Sequence, residues 1–490
     1  MHHFLSFLFF ISKLFSTLYR WLKGIFRGKV HGKAHWMHKY EMMTFLSPWK
    51  NKGLILSENY RLSFEESFKN LCLVAPTGSG KTTRFVIPNL LKLEGSAVVT
   101  DPSGEIYERT SGHLQSRGFR IQVISPAHLD QSLMFNPLSR FHTQPELKQL
   151  ANTLCPNNIG SDSFWQSSAA NILHICLAAV VGTKDEKLIN LGNVRHLLNH
   201  LGIETDEVKN FMCRTLDDVM FTEYKAFVSQ DPKVAANILS TARTALDLWS
   251  DPDVVRLTAT NSVDIAALRR EPTIIYIITP EEKVSYFSLI INLFYSACFE
   301  YCLQHHGKNA LPVFFFLDEF GNLGRINNFA AIATTLRKRR CSISIILQDL
   351  SQLKAIYGQH EAASIFSGGM SNKLFFSALD LDTCQYLERV LGMNTVYDVV
   401  YGDYSEKART VAKPLLSADE IRMLPKDKGI LISGHKLPMK MKMPPYFKNA
   451  VLNKLTQKTP AEIKMNFPDK MIQHLQFFEQ PEVLPGADLV

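Results

Sequence analysis

The chain has 490 residues, 46% of them hydrophobic and 20% charged, with a formal net charge of +8. That length calls for two or three domains, the composition excludes a disordered or fibrous chain, and the positive balance favours a polyanionic partner. The eight cysteines include no Cys-x-x-Cys pair, and Cys298 and Cys302 lie one helical turn apart; all eight read as reduced, mostly buried small hydrophobes, which suits a cytosolic face.

Taken in chain order, the first pattern lies in residues 4–26. Lys13, Arg20 and Lys23 interrupt its apolar run, so it makes a poor membrane-spanning helix. On a helical wheel Ser6, Lys13, Thr17, Arg20 and Gly24 gather on one side, and Phe4, Phe7, Leu8, Ile11, Leu14, Phe15, Leu18, Leu22 and Phe26 cover the rest. This is the pattern of a helix lying in a membrane interface, with Tyr19 and Trp21 suited to the head-group layer. From Lys13 to Lys39 there are seven Lys/Arg and no acid, which suits an anionic leaflet. No small-residue cleavage site follows the run, which disfavours a signal peptide.

Leu71–Val74 reads as a short buried strand running into Ala75-Pro76-Thr77-Gly78-Ser79-Gly80-Lys81-Thr82-Thr83. Gly78 and Gly80 can adopt the backbone angles that turn successive N–H groups inward, so Thr77 to Thr83 form a cradle for phosphate oxygens. Lys81 would reach the β- and γ-phosphates, and the Thr82 hydroxyl would help hold Mg²⁺. The first position of the usual pattern is Ala75 rather than Gly; a small residue still fits where the strand ends.

Residues 95–101 repeat the scheme, a buried strand ending at Asp101 with Gly104 and Glu105 opening a helix, and a third strand, Arg120 to Ile124, stops at Pro126. Strands alternating with helices predict a parallel, doubly wound α/β sheet. Between residues 141 and 257 the period changes to about 3.6 in Pro145–Cys155, Ser163–Val181, Leu191–His200, Glu204–Phe211 and Val234–Trp249. This predicts an all-α domain inserted into the α/β core, with Phe164, Trp165 and Trp249 as core aromatics.

The α/β pattern resumes at Thr273–Ile278 and a helix over 284–304. Pro312 to Leu317 then forms an apolar strand ending in Asp318-Glu319, where parallel sheets place their ligands. An Asp-Glu pair following a phosphate loop predicts ATP or GTP hydrolysis, with Asp318 on the metal and Glu319 on the attacking water. A helix from Phe329 ends in Arg337-Lys338-Arg339-Arg340, and the strand Ser342–Leu347 is closed by Gln348. Gln348 can sense the γ-phosphate or hold the water, the other reading being a helix cap. The basic run either complements a helix dipole or supplies an arginine finger to a neighbouring subunit. A strand at Lys373–Ser377, a helix at Asp382–Leu391 and a last strand at Gly429–Ser433 complete the sheet. Proline at 460, 468, 481 and 485 marks residues 448–490 as a peripheral tail.

These blocks, in this order, resemble the type IV secretion coupling proteins, the conjugative DNA-transfer ATPases of bacteria, from about His31 to Phe447. The resemblance is carried by His31-Gly32-Lys33-Ala34-His35-Trp36, by the phosphate loop followed by Phe85-Val86-Ile87-Pro88-Asn89-Leu90, and by Thr100-Asp101-Pro102-Ser103-Gly104-Glu105. Further carriers are Leu317-Asp318-Glu319-Phe320-Gly321-Asn322-Leu323-Gly324, Gln348-Asp349-Leu350-Ser351-Gln352-Leu353, Leu387–Gly392 and Leu415–Ile421. It implies a RecA-like P-loop NTPase core over 31–140 and 258–447, an all-α domain over 141–257, and a homohexameric ring on the cytoplasmic face of the inner membrane. It implies ATP and Mg²⁺ as cofactors, with Lys81, Thr82, Asp318, Glu319 and Gln348 serving the nucleotide and Arg337 at the position of the family's finger arginine. The implied partners are sequence-tolerant DNA, single-stranded and attached to a relaxase, the relaxosome, and the type IV secretion channel. One departure stands out: the family begins with two membrane spans and a periplasmic loop, whereas this chain has the short amphipathic stretch 1–30. Two other readings stay open, a coupling ATPase for protein effectors and a chromosome-segregation or repair translocase on duplex DNA.

Overall fold

The structure is a computed structural model that describes residues 32–156, 163–202, 205–402, 405–463 and 473–477. The amphipathic stretch 4–26 lies outside the described residues. The described strands are β1 (Ile55–Ser57), β2 (Tyr60–Arg61), β3 (Leu71–Val74), β4 (Ser96–Asp101), β5 (Arg120–Ile124), β6 (Thr273–Ile278), β7 (Val313–Leu317), β8 (Cys341–Leu347), β9 (Asn372–Phe375), β10 (Met393–Gly402), β11 (Ser405–Pro414), β12 (Lys428–Ser433) and β13 (Met439–Lys442).

A nine-stranded sheet runs β13-β12-β9-β3-β8-β7-β4-β6-β5. From β9 to β5 every neighbouring pair is parallel, while β12 is antiparallel to β9 and β13 to β12. The central parallel strands β3, β7 and β6 are almost wholly apolar because both faces are covered, and their side chains alternate between two cores. Val313, Phe315 and Leu317 enter one core, and Phe314 and Phe316 the other. Phe315 meets Phe299 of the helix Val284–Gln304 edge-on at 4.8 Å, and Phe316 meets Phe85 behind the phosphate loop at 6.1 Å. The acidic strand is thus clamped from both sides before its carboxylates emerge.

Between Gln144 and Leu257 the described elements are all helical. Their centre is the helix Ser163–Gly182, against which the helices Gln144–Leu154, Leu191–His200, Asp206–Thr215, Asp218–Val228 and Pro232–Ala245 pack. Two described helices, over 164–182 and 281–304, are long and apolar enough to cross a bilayer, yet each buries 56% of its apolar window within the protein, as core helices do. The core on this side is continuous, running from Leu150 and Leu173 in the helical region to Cys72 and Val98 in the sheet.

Several local expectations are corrected. Trp249 is buried and donates to the Thr258 hydroxyl at 2.9 Å, and Trp165 is half-buried, but Phe164 is 57% exposed, one residue into its helix. Gly429–Ser433 is not the last strand, because β13 pairs outside it. The hairpin β10–β11 has no counterpart in the sequence reading. Part of the tail is seated on the body rather than peripheral. Ala461 accepts from the Tyr107 hydroxyl and donates to Ser111 at 3.1 Å, and Phe477 inserts between His200 and Phe211 with 6% exposure.

Candidate functional site

The site begins where β3 ends. The Ala75 N–H donates to the Leu347 carbonyl at 2.9 Å, so pairing with β8 persists to the mouth of the loop. Gly78 and Gly80 have φ of +74° and +80°, the left-handed region in which a side chain is strained. At Gly78 a Cβ would meet nothing within 4 Å, so its need for glycine is conformational; at Gly80 a Cβ would also come within 3.2 Å of the Arg84 guanidinium. The helix that follows opens with a π turn, Thr82–Val86, before continuing as α-helix over Ile87–Leu91.

Strand order explains what meets this loop. β8 lies between β3 and β7, so the tip of β8 stands between the cradle and the acids. The Lys81 ammonium forms an ion pair with Glu319 Oε1 and lies 3.5 Å from Asp318 Oδ1. The Thr82 hydroxyl donates to Asp318 Oδ2 at 3.2 Å, and Gln348 Nε2 donates to Glu319 Oε2 at 3.1 Å. Five residues from three strand ends therefore share one hydrogen-bonded cluster. Thr77, Gly78, Ser79 and Thr83 belong to the same loop and helix start; the Thr83 hydroxyl donates to the Gly80 carbonyl at 3.2 Å, and Ser79 Oγ is buried with no protein partner.

Burial pushes the Asp318 carboxyl above the usual carboxylate range, with the Glu319 charge adding to the rise and Lys81, the Glu319 N–H and Thr82 opposing it. Buried carboxylates stay charged only beside compensating cations, and Lys81 is that cation. A threonine hydroxyl beside an aspartate is a set of hard oxygen donors, which fits Mg²⁺, an ion that keeps waters and phosphate oxygens as its other ligands. Among the described residues no group of three or more His, Cys, Asp or Glu could hold a metal ion alone. Glu319 itself has φ +53°, a non-glycine residue held in a strained region at a cost of about 1–2 kcal/mol.

Gln348 is not a helix cap. Asp349 caps the helix Leu350–Ser364, accepting from the Ser351 and Gln352 N–H groups. The sequence reading gave Gln352 no role, yet its Oε1 accepts the Gln348 N–H at 3.0 Å. A Cβ on Gly321 would lie 2.7 Å from Gln352 Cδ. Gln352 thus ties the tip of β8 to the turn after Glu319, and the signal for it was a glutamine four residues beyond Gln348 and a glycine two beyond Glu319. Arg337 is not brought to this cluster. It is exposed at the amino end of β8, and the strand's seven residues put about 23 Å between it and Gln348. A cleft of about 950 Å³ lies further along the same sheet edge, bounded by Gly104, Tyr107, Ile278 and Ala461; it contains none of the five clustered residues.

Fold and site together define a RecA-like, phosphate-loop α/β protein. Residues 28–474 match the family described as type IV secretory system conjugative DNA transfer, and the chain belongs to that family. It is 25% identical over 420 residues to the protein VirD4 of Agrobacterium fabrum, covering 78% of this chain and 59% of that protein. With the conjugal transfer protein TraG of Escherichia coli it shares 27% over 394 residues, 72% of this chain and 61% of TraG. The chain thus spans about three fifths of the length of these two relatives. Among solved structures, the unbound bacterial conjugative coupling protein TrwBdeltaN70 superposes with a TM-score of 0.67 at 17% identity, covering 84% of this chain and 94% of that one. TrwB in complex with a non-hydrolysable ATP analogue gives 0.66 at 17% identity, covering 85% and 95%.

Proposed function

We propose that this protein is a coupling ATPase of a type IV secretion or conjugation system, and that the cluster of Lys81, Thr82, Asp318, Glu319 and Gln348 is its hydrolytic site. The observation that carries the reading is the meeting of the Lys81 ammonium with both carboxylates of the acidic strand. That TrwB and VirD4 or TraG share the fold or family supports it.

The chemistry follows from the charges. Both Glu319 oxygens are engaged, one by Lys81 and one by Gln348. When a triphosphate enters the cradle, Lys81 exchanges carboxylate for phosphate oxygens and releases Oε1 to orient a water and accept its proton. Gln348 keeps the other oxygen in place. Thr82 and Asp318 would hold Mg²⁺, which supplies charge neutralisation across the phosphate oxygens. Lys81 and an arginine from a neighbouring copy would offset charge developing on the transferred group. Arg337 is the candidate, and because it stands far from its own cluster it can serve only across an interface, in keeping with a homohexameric ring.

In this reading residues 31–140 and 258–447 form the nucleotide-binding domain, 141–257 the all-α domain, 448–490 the tail, and 1–30 attach the protein to the cytoplasmic face of the inner membrane. The cargo is DNA with its attached relaxase, bound through its phosphates and passed to the channel. ATPase activity of the full chain, measured with and without single-stranded DNA across a salt series, tests the proposal. Stimulation that fades as salt rises supports it. Hydrolysis indifferent to any DNA contradicts the DNA cargo, and absence of Mg²⁺-dependent hydrolysis contradicts the motor.

A further inference from the structure

We infer that the folded body itself, and not only residues 4–26, docks on an anionic bilayer through an aromatic and lysine face built by residues 36–52 and the turn between β12 and β13. This rests on the reading that residues 4–26 lie in a membrane interface.

The helix Lys39–Phe45 buries Met42 against the core, as does Leu46 just beyond it, beside Leu54, Leu56, Met439 and Met441. Its other face carries Tyr40 and Met43, 83% and 49% exposed, three residues apart and so on one side of the helix. The turn that follows displays Trp49, 92% exposed. That turn is fixed, because Asn51 Nδ2 donates to the Phe45 carbonyl at 2.9 Å and to the Arg61 carbonyl at 2.6 Å. A tryptophan, a tyrosine and a methionine held outward in so short a stretch form an apolar surface awaiting a partner.

The charges around it choose the partner. Lys39 and Lys50 are exposed on the helix and turn, Lys436 stands over the Phe45 ring at 5.5 Å, and Lys440 over the Trp36 ring at 6.0 Å. The Met37 N–H donates to the Pro438 carbonyl at 2.9 Å, which binds the lysine-bearing turn to this segment. The acids in reach are Glu41 on the same helix, Glu94, which is 3.6 Å from both Lys52 and Arg61, and Glu420, whose charge acts on Lys440; they are outnumbered by Lys39, Lys50, Lys52, Arg61, Lys436 and Lys440. The balance is basic, and Trp and Tyr interleaved with Lys is the chemistry of the head-group layer of an anionic membrane. Chain length agrees. Phe26, the last residue of the amphipathic stretch, stands ten residues before Trp36, so the face lies within about 35 Å of any bilayer that holds Phe26.

The test is hydrogen exchange of the full chain with phosphatidylcholine vesicles and with vesicles containing phosphatidylglycerol. The proposal expects slowed exchange over residues 39–52 on the anionic vesicles only. It also expects the double variant Tyr40→Ser, Trp49→Ser to lose that protection and to bind those vesicles about tenfold more weakly, with lipid-free ATPase activity unchanged. Protection confined to residues 4–26 overturns the docking face while leaving the anchoring reading standing. Failure to bind vesicles at all overturns both. Protection of residues 39–52 that grows with protein concentration in the absence of lipid assigns the face to a second copy and overturns the proposal.

Discussion

The two ends of β8 are built on opposite principles. At its carboxyl end Gln348 joins a network of charged side chains, Lys81, Asp318 and Glu319, whose members compensate one another. At its amino end the charge that is buried, Arg269 at 5% exposure, is held by main-chain carbonyls of Leu311, Cys302 and Arg339 and by the Cys341 sulfur, while Arg337 remains in solvent. A cation surrounded by carbonyls has nowhere to go, so that end is a staple. A cation poised between two carboxylates can be drawn off by a stronger anion, so the other end can respond to a ligand.

That contrast is sharpest in substitution. Lys81→Ala is expected to lower ATP turnover by at least about 10³-fold while circular dichroism shows the fold retained. Wild-type turnover in this variant would break the comparison at its functional end. Arg269→Met should do the reverse: about 3–5 kcal/mol of stability lost in denaturant unfolding, because three carbonyls lose their donor, with turnover per folded molecule unchanged. Smaller effects grade the network. Gln348→Ala is expected to lower kcat by about 10–100-fold with KM altered less than about twofold, because a group that acts on the water is felt in the transition state. Gln352→Ala, acting through Gln348, should cost about tenfold in kcat, with a larger residual activity in Gln352→Glu, whose carboxylate can still accept the Gln348 N–H.

A further effect is a pH slope. Burial pushes the Asp101 carboxyl from 3.8 to about 6, against the N–H groups that it accepts at the start of the helix Glu105–Ser116. A raised carboxylate binds its proton more tightly folded than unfolded. Its contribution to stability is therefore greatest below about pH 4 and declines as pH rises towards about 6. Thermal unfolding across that window should show a shallower decline in Asp101→Asn than in the wild type; identical slopes would remove Asp101 from the account.

The parts of the site legible in the sequence were those whose chemistry is local. The phosphate loop needs glycine at two left-handed positions, and the acidic strand needs an apolar run before its carboxylates, so both leave a contiguous trace. Gln348 was legible because it terminates such a run. Gln352 was not, since its role depends on a turn thirty-one residues earlier in the chain, at Gly321, coming against it. β13 alternates Met and Lys between flanking prolines, and its two methionines gain a core only when β12 is beside them. Phe164 is apolar in sequence but stands near the exposed start of its helix, a position that a wheel drawn on the whole segment does not distinguish. The fold class was legible for a simpler reason: buried parallel strands are mostly apolar, and their spacing by helices persists over most of the chain.

The central claim is that a magnesium-bound triphosphate is held by the loop and hydrolysed by the acid that Gln348 supports. Glu319→Gln separates those two functions, since the amide keeps the size and the hydrogen-bonding oxygen but cannot take a proton. Titration of this variant with Mg·ATP alongside a turnover assay is predicted to give wild-type affinity within about threefold and turnover reduced by at least about 10³-fold. Wild-type turnover in Glu319→Gln, or a wild-type protein that binds no Mg·ATP, would contradict it.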